Sequence, residues 1–324
     1  MQSPPFLPHF LQLHQADHRA LAQEAATGLL APAASVSPKF LYGVLGSRLF
    51  DAITELDEYY PTRTEAALLS QHGAAIRQAV LQATGLAPAL LDLGAGNCAK
   101  AARLFPALAP RQYVAVDISV EFLRESLTQL QRLHPALPMT GLGLDFSARL
   151  ALPAGLLDGP ALVFYPGSSI GNFSPDEALR LLTEARAVAA GGALLIGVDL
   201  VKPVPVLEAA YDDALGVTAA FNLNLLRNLN QLLGSDFNPR QWQHLAVFNA
   251  AESRIEMHLQ ARQALQVAWP GVLRPFAAGE RLHTENSYKW TPGGFAALLR
   301  DAGFGQVQHW TDDAGWFAVF LAAG

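Results

Sequence analysis

Within this 324-residue sequence, chemistry is easiest to read in the stretch Leu90-Leu91-Asp92-Leu93-Gly94-Ala95-Gly96-Asn97-Cys98-Ala99-Lys100. An apolar run ending in glycines lets a strand turn sharply into a helix. It brings bare backbone close to a ligand and aims a helix N-terminus at a carboxylate or phosphate. Asp117 follows about twenty residues on, where a carboxylate accepts hydrogen bonds from both hydroxyls of a ribose. Asp145 closes a third apolar run, placed to receive an adenine amino group, with Phe146 beside the ring. Gly94, Gly96, Asp117, Asp145 and Phe146 therefore read as a nucleoside cradle. Lys100, on the first turn after the loop, can reach a carboxylate. A glycine-rich turn also serves dehydrogenases. This loop lacks the third glycine of a dinucleotide fingerprint, and the helix after the fourth strand begins late, so S-adenosyl-L-methionine is preferred over a nicotinamide dinucleotide. Taken singly, Asp117 can be a helix cap, Asp145 a turn residue and Lys100 a solvated helix face. Their placement at successive strand ends argues for a site.

Those residues need a frame. From about Ala89 onward, short apolar runs alternate with longer amphipathic ones, which is the pattern of a parallel sheet and its covering helices. Strands are expected at Ala89–Leu93, Gln112–Val116, Met139–Leu144, Ala161–Tyr165 and Ala193–Val198. Between them, Ser119–Leu133 sets Val120, Leu123, Leu127 and Leu130 on one helical face. Ser174, Pro175 and Glu177 form a capping-box signature, opening a helix that runs to about Ala190. Thr291–Gly303 reads as a helix, and Gln306–Trp310 with Trp316–Leu321 as a closing antiparallel hairpin. Two pieces break this rhythm. Before about Thr62, a helical pattern at Ser47–Leu56 and the aromatic segment Phe40-Leu41-Tyr42 have no strand to pair. Lys202 to Lys289 reads as two helices and then alternating strands, with Ile255, Met257 and Leu259 on one face. The expected fold class is α/β, a doubly wound Rossmann-like sheet interrupted by an insertion that forms a second, smaller α+β lobe with the N-terminal arm.

Composition narrows the ligand. About half the residues are hydrophobic (51%), enough for one large core or a core plus a lobe. Lys+Arg number 22 against 28 Asp+Glu, for a formal charge of -6, and no basic run offers a track for phosphates. A nucleic-acid partner is not expected, because such affinity rests on neutralised phosphates. Cys98 is the single cysteine, so neither an internal disulfide nor a cysteine zinc site is expected, and a reducing cytoplasm fits best. Met1 to His9 has no basic region followed by a long apolar stretch, so a secretory signal is not expected. No apolar run reaches the roughly 18 to 20 residues that span a bilayer, so no membrane partner is expected. A monomer requires no extra assumption. His258 and His283 are read as structural neighbours without a third ligand at metal spacing, so no metal is expected.

Five strings carry a family resemblance: Gly46-Ser47-Arg48-Leu49-Phe50-Asp51; Glu58-Tyr59-Tyr60-Pro61-Thr62-Arg63-Thr64-Glu65; Gly167-Ser168-Ser169-Ile170-Gly171-Asn172; Tyr211-Asp212-Asp213 with Gly216-Val217-Thr218-Ala219-Ala220-Phe221-Asn222; and Thr284-Glu285-Asn286-Ser287-Tyr288-Lys289. In this order, over most of the chain from about Lys39, they resemble the L-histidine Nα-methyltransferases of ergothioneine biosynthesis. The loop departs from the family pattern, in which polar residues often precede the lysine, by carrying Cys98 and Ala99. The resemblance implies a class I methyltransferase sheet binding S-adenosyl-L-methionine through Gly94, Lys100, Asp117, Asp145 and Phe146. It also implies a histidine site in the second lobe. Tyr59, Asn172 and Tyr211 would surround the amino-acid backbone atoms, Glu285 and Ser287 the imidazole, with Asn286 beside them, and Tyr42, Gly167 and Met257 would complete the walls. Tyr42, Tyr59 and Asn172 are the residues expected nearest the reacting amine. Residues 1–62 and 203–289 then form the substrate-binding lobe, and 63–202 and 290–324 the methyltransferase domain.

The implied reaction is in-line displacement at a sulfonium methyl, for which the protein's main task is positioning a neutral amine. An α-amino group near pH 7 is mostly protonated, so its proton must leave through water or a tyrosine hydroxyl; no strong general base is assigned. If methylation continues to the trimethylated betaine, hercynine, then Tyr42, Tyr59 and Phe221 offer aromatic faces to the growing cation. Alternatives are the same fold acting on another amino acid such as tryptophan, a catalytically silent module that binds S-adenosylmethionine, and a nicotinamide dehydrogenase. Singly, Glu285 can pair with Lys289 and Met257 can be core filler.

Overall fold

Apolar runs without polar alternation fit only where both faces of a sheet are covered, and three of the expected runs, Ala89–Leu93, Ala161–Tyr165 and Ala193–Val198, are buried at every residue. A computed structural model describes residues 6–13, 18–85 and 87–324. In chain order the strands are β1 (His9–Gln12), β2 (Ala89–Leu93), β3 (Gln112–Asp117), β4 (Met139–Gly143), β5 (Ala161–Tyr165) and β6 (Ala193–Asp199). There follow β7 (Trp242–Asn249), β8 (Arg254–Ala261), β9 (Leu265–Trp269), β10 (Val272–Phe276) and β11 (Arg281–Tyr288), and finally β12 (Gln306–Thr311) and β13 (Phe317–Ala323). The chain divides into two compact units. One comprises residues 1–14, 61–201 and 289–324, the other residues 15–60 and 202–288.

The first unit is built on an eight-stranded sheet of order β1-β4-β3-β2-β5-β6-β13-β12. Pairings from β1 to β6 are parallel, and β13 and β12 close the sheet antiparallel. The chain winds outward from β2 through β3 to β4, then returns to β5 and β6 on the other side. Strand order therefore reverses between β2 and β5, and the crevice beyond the carboxyl ends of strands at such a point is where doubly wound sheets bind ligands. Helix Val120–Leu133 buries Leu123, Leu127 and Leu130. Helix Pro175–Ala189 opens on a complete capping box, with Glu177 N–H donating to Ser174 Oγ and Ser174 N–H to the Glu177 carboxylate.

The N-terminal arm departs from expectation. Residues 9–12, read as part of the second lobe, lie in the large sheet and pair parallel with β4. Phe10 explains the docking: a Cβ on Gly141 would fall 2.6 Å from its ring, and the Arg124 guanidinium stacks 4.3 Å from the ring centre. Four residues are too few to show alternation. The reading of Met1–His9 as lacking a secretory signal falls largely outside the described residues.

The second unit combines helices His18–Leu30, Val44–Ile53, Val204–Ala209 and Val217–Leu233 with a three-stranded antiparallel sheet, β11-β8-β7, and the hairpin β9-β10. The helix expected at Ser47–Leu56 starts and ends three residues earlier. Gly46, a poor helix former, hides its start in the sequence. A Cβ there would sit 2.0 Å from the Leu41 carbonyl oxygen of the preceding turn Pro38–Leu41. Asp213 caps the long helix, accepting from the N–H groups of Val217 (2.9 Å) and Thr218 (2.7 Å). Burial alone would raise this carboxyl, yet those hydrogen bonds hold it below its ordinary value.

Where the chain leaves the first unit and returns to it, the two segments are clamped. Trp290 N–H donates to Asp199 O and Val201 N–H to Trp290 O, and Lys289 Nζ lies 2.8 Å from Asp199 Oδ2 with both side chains buried. Removing one member of a buried pair strands the other's charge, at about 3–5 kcal/mol. Lys289→Met should lower unfolding stability in urea by that order, and Lys289→Met combined with Asp199→Asn should recover much of it. Equal stability of single and double variants would contradict the pairing.

Candidate functional site

Gly94 and Gly96 occupy positive φ, 68° and 52°, backbone that residues with a Cβ enter only at a cost. The N–H groups of Gly94 and Ala95 donate to Val116 O, tying the loop to β3. Gly96 N–H then donates to Asp117 Oδ2 (2.9 Å) and Ser119 N–H to Asp117 Oδ1 (2.8 Å). Backbone donors thus fix the Asp117 carboxylate, while each oxygen keeps a second lone pair for a hydroxyl. Desolvation raises this carboxyl above its ordinary value, opposed by the backbone hydrogen bonds. One strand further out, Asp145 is buried and accepts from the N–H and hydroxyl of Ser147. Phe146 lies over the glycine loop, its Cζ 3.9 Å from where a Cβ on Gly94 would be, and meets Tyr165 edge-on at 5.7 Å.

Lys100 stands on the short helix Ala99–Ala102 after the loop, which opens at Cys98 in the left-handed conformation. Its Nζ lies 2.9 Å from Glu65 Oε2, and Glu65 Oε1 accepts from Gly167 N–H at 2.8 Å. Glu65 belongs to one of the five strings, yet nothing in its spacing points to a lysine thirty-five positions away. Asn172 ends the turn Ser169–Asn172 beyond Gly167 and is half-buried. Gly167 and Asn172 are therefore carried by the first unit. The donor set there suits an adenosyl group bearing an amino acid: carboxylates for a ribose diol and an exocyclic amine, a ring for the base, and a cation for a carboxylate.

In the second unit a β-bulge decides which side chains share a face. Strict alternation along β11 from the buried Leu282 would put 284, 286 and 288 beside it. The register instead slips between His283 and Glu285, so Leu282, Glu285 and Ser287 stand opposite Leu259, Met257 and Ile255. Glu285 and Ser287 thus join Met257 on one buried face. Asn286 stands opposite Glu256 on the other, its Oδ1 2.8 Å from His283 Nε2. The structure therefore does not bring Asn286 to the residues it was grouped with. His258 and His283 pack there, ring to ring at 5.2 Å, and burial pushes His258 down to about 4.

Tyr211 donates its hydroxyl hydrogen bond to Ser287 Oγ at 2.7 Å, joining a residue expected at the backbone end of an amino acid to one expected at its ring. Its carbonyl is 2.7 Å from His244 Nε2, and His244 Nδ1 is 2.9 Å from Asn222 Nδ2. A carbonyl only accepts, so Nε2 carries the proton and Nδ1 accepts from the amide. Burial lowers His244, which keeps that neutral tautomer; Asp212, 4.0 Å away and exposed, is too distant to reverse it. An aromatic cluster continues from Tyr211 to Tyr59 (6.4 Å), Tyr59 to Phe50 (6.1 Å), and Tyr42 to Phe221 (5.5 Å). Among the described residues, no group of three His, Cys, Asp or Glu side chains is arranged to hold a metal ion, and no helix is long and apolar enough to cross a membrane.

Residues 21–324 match a protein family described as histidine-specific methyltransferase, SAM-dependent. The chain is 39% identical to a histidine N-alpha-methyltransferase of Mycobacterium tuberculosis, over 95% of this chain and 96% of that protein. It is 40% identical to the protein of the same name from Mycolicibacterium smegmatis, over 94% of each. It is also 30% identical to ergothioneine biosynthesis protein 1 of Neurospora crassa, over 84% of this chain and 31% of that longer protein.

Beneath the glycine loop, Asp92 is buried and accepts from the Tyr113 hydroxyl at 2.7 Å. Burial raises its carboxyl from 3.8 to about 7, against the lowering effect of that hydrogen bond. The folded chain therefore holds a proton that the unfolded chain releases, and stability contributed by this group falls as pH rises from about 4 to about 7, then levels off. Asp92→Asn should flatten the drop in melting temperature between about pH 5 and about pH 8. Parallel profiles for wild type and variant would return the carboxyl to its ordinary range.

Proposed function

This chain belongs to the histidine-specific, S-adenosylmethionine-dependent methyltransferases, and from that premise we infer that it methylates the α-amino nitrogen of free L-histidine. One observation supports the acceptor most directly: the bulge in β11 turns a buried carboxylate and a hydroxyl, Glu285 and Ser287, to the same face beside Met257. An imidazole presents one N–H and one bare nitrogen, and this pair answers both. Glu285 accepts the N–H. Ser287, whose oxygen already accepts from Tyr211, donates to the bare nitrogen. An indole has no second ring nitrogen to meet the hydroxyl, and an aliphatic side chain offers the carboxylate no N–H.

At the amino-acid end, Tyr59 and Tyr211, whose rings lie 6.4 Å apart, meet the backbone atoms with neutral groups, which adds no cation beside a sulfonium. For the donor, Asp117 accepts the ribose hydroxyls, Asp145 the adenine amine, Phe146 lies against the base, Gly94 and Gly96 let backbone come close, and Lys100 takes the carboxylate. When bound, S-adenosyl-L-methionine supplies an electrophilic methyl carbon. The chain's contribution is to orient the amine in line with it and to exclude competing nucleophiles. The amine's proton leaves through water or a tyrosine hydroxyl, that of Tyr42 or Tyr59. The edge-on rings of Tyr42, Tyr59 and Phe221 give a methylated ammonium the π faces it prefers. Transfer thus extends to hercynine, in keeping with a relative named for ergothioneine biosynthesis.

Glu285→Ala should cut kcat/KM for histidine about 100-fold, the loss of a charged hydrogen bond in a closed site, with Glu285→Gln in between. Calorimetric affinity for S-adenosylmethionine should hardly change. Normal histidine kinetics in Glu285→Ala would remove the imidazole assignment.

A further inference from the structure

We propose that Glu65 is a positioning residue that spans the switch point of the sheet and fixes Lys100 for the carboxylate of the methyl donor; this rests on the reading of the donor site given above. Glu65 is 2% exposed, on helix Tyr60–Gln71. Both of its oxygens are engaged, one by Lys100 Nζ (2.9 Å) and one by Gly167 N–H (2.8 Å). Lys100 follows β2 and Gly167 follows β5, the adjacent strands between which strand order reverses. One carboxylate therefore ties together the two loops that form the crevice.

Two glycines are shaped around this arrangement. A Cβ on Gly197, in β6, would lie 2.0 Å from Glu65 Oε1, and a Cβ on Gly167 would lie 2.8 Å from Lys100 Nζ. The first keeps the space that the carboxylate occupies, the second the space that the ammonium occupies. The Gly167 turn is held from its other side as well, since Asp199 N–H donates to Ser168 Oγ at 2.8 Å.

A lysine ammonium on its flexible four-carbon stem has three donors and many rotamers. Glu65 takes one donor and holds the others in a fixed direction, so less disorder is lost when an anion arrives. It also balances the charge. A lone Lys100 would add a net positive charge beside a sulfonium, whereas the pair is neutral. The effect is confined to the amino-acid end of the donor and does not reach the nucleoside.

That confinement gives the test. Full-length wild type, Glu65→Gln, Glu65→Asp and Lys100→Met are titrated calorimetrically with S-adenosylhomocysteine and with 5′-methylthioadenosine, the same nucleoside without the amino-acid end. Glu65→Gln should bind S-adenosylhomocysteine about 10- to 100-fold more weakly, as expected for losing a charged hydrogen-bond partner. Methylthioadenosine affinity should stay unchanged. Glu65→Asp keeps the charge but withdraws it by one methylene, and should show a smaller loss of the same selectivity; it also serves if Glu65→Gln does not fold. Lys100→Met should reproduce the pattern, and adding Glu65→Gln to it should cost little more. Equal weakening of both ligands assigns Glu65 a merely structural role and overturns the proposal. So does full S-adenosylhomocysteine affinity in both Glu65 variants while Lys100→Met is impaired. A wild-type chain that binds neither ligand overturns the donor-site reading itself, and this inference with it.

Discussion

A carboxylate withdrawn from water must be met by donors that do not move, and this requirement organises the first unit. Asp117 is met by the N–H groups of Gly96 and Ser119, Asp145 by Ser147, Glu65 by Lys100 and the Gly167 backbone, and Asp199 by Lys289. Most of these acids lie at or just beyond the carboxyl ends of neighbouring strands. Parallel pairing brings those ends side by side: Asp117 is in register with Gly143, two residues before Asp145. Their acceptor atoms are therefore fixed by backbone geometry. A ligand meeting them encounters an environment already oriented, the condition under which polar groups contribute most.

In the second unit the residues around Ser287 are held through side chains. Tyr211 is held at its carbonyl by His244, whose tautomer is set by the acceptor it faces and by Asn222 behind it. The Tyr211 hydroxyl then reaches Ser287. A buried amide, a neutral imidazole, a tyrosine and a serine thus form one connected sequence of hydrogen bonds. The bulge in β11 brings Glu285 to the same face as that serine. The histidine pair at 258 and 283 occupies the opposite face, where burial keeps His258 neutral and Glu256 lies 3.2 Å from it.

The sheet was legible because its strands are buried on both faces, and unbroken apolar runs such as Ala161–Tyr165 have few other readings. The capping box at Ser174 was legible because its signal is local. What escaped depends on distant partners. β1 is four residues whose place is set by Phe10 filling the space beside Gly141. The start of helix Val44–Ile53 is masked by a glycine that tertiary packing demands. Asn286 stands beside Glu285 and Ser287 in the family string, whereas neighbours along a strand face opposite ways, and the bulge decides which way. Glu65 escaped because its meaning lies in two loops that only the folded sheet brings together. The glycine loop and its acids were readable from residue type and position; the partners that hold Lys100 and Tyr211 were not.

The central claim is that histidine is recognised by its ring while the methyl group goes to its backbone nitrogen. Incubating the chain with S-adenosylmethionine carrying an isotopically labelled methyl group, in the presence of histidine and of each other common amino acid in turn, tests this directly when the product is examined by NMR. The account predicts label on the α-nitrogen of histidine and no comparable transfer to the other amino acids. Label on an imidazole nitrogen, or equal transfer to tryptophan, would contradict it.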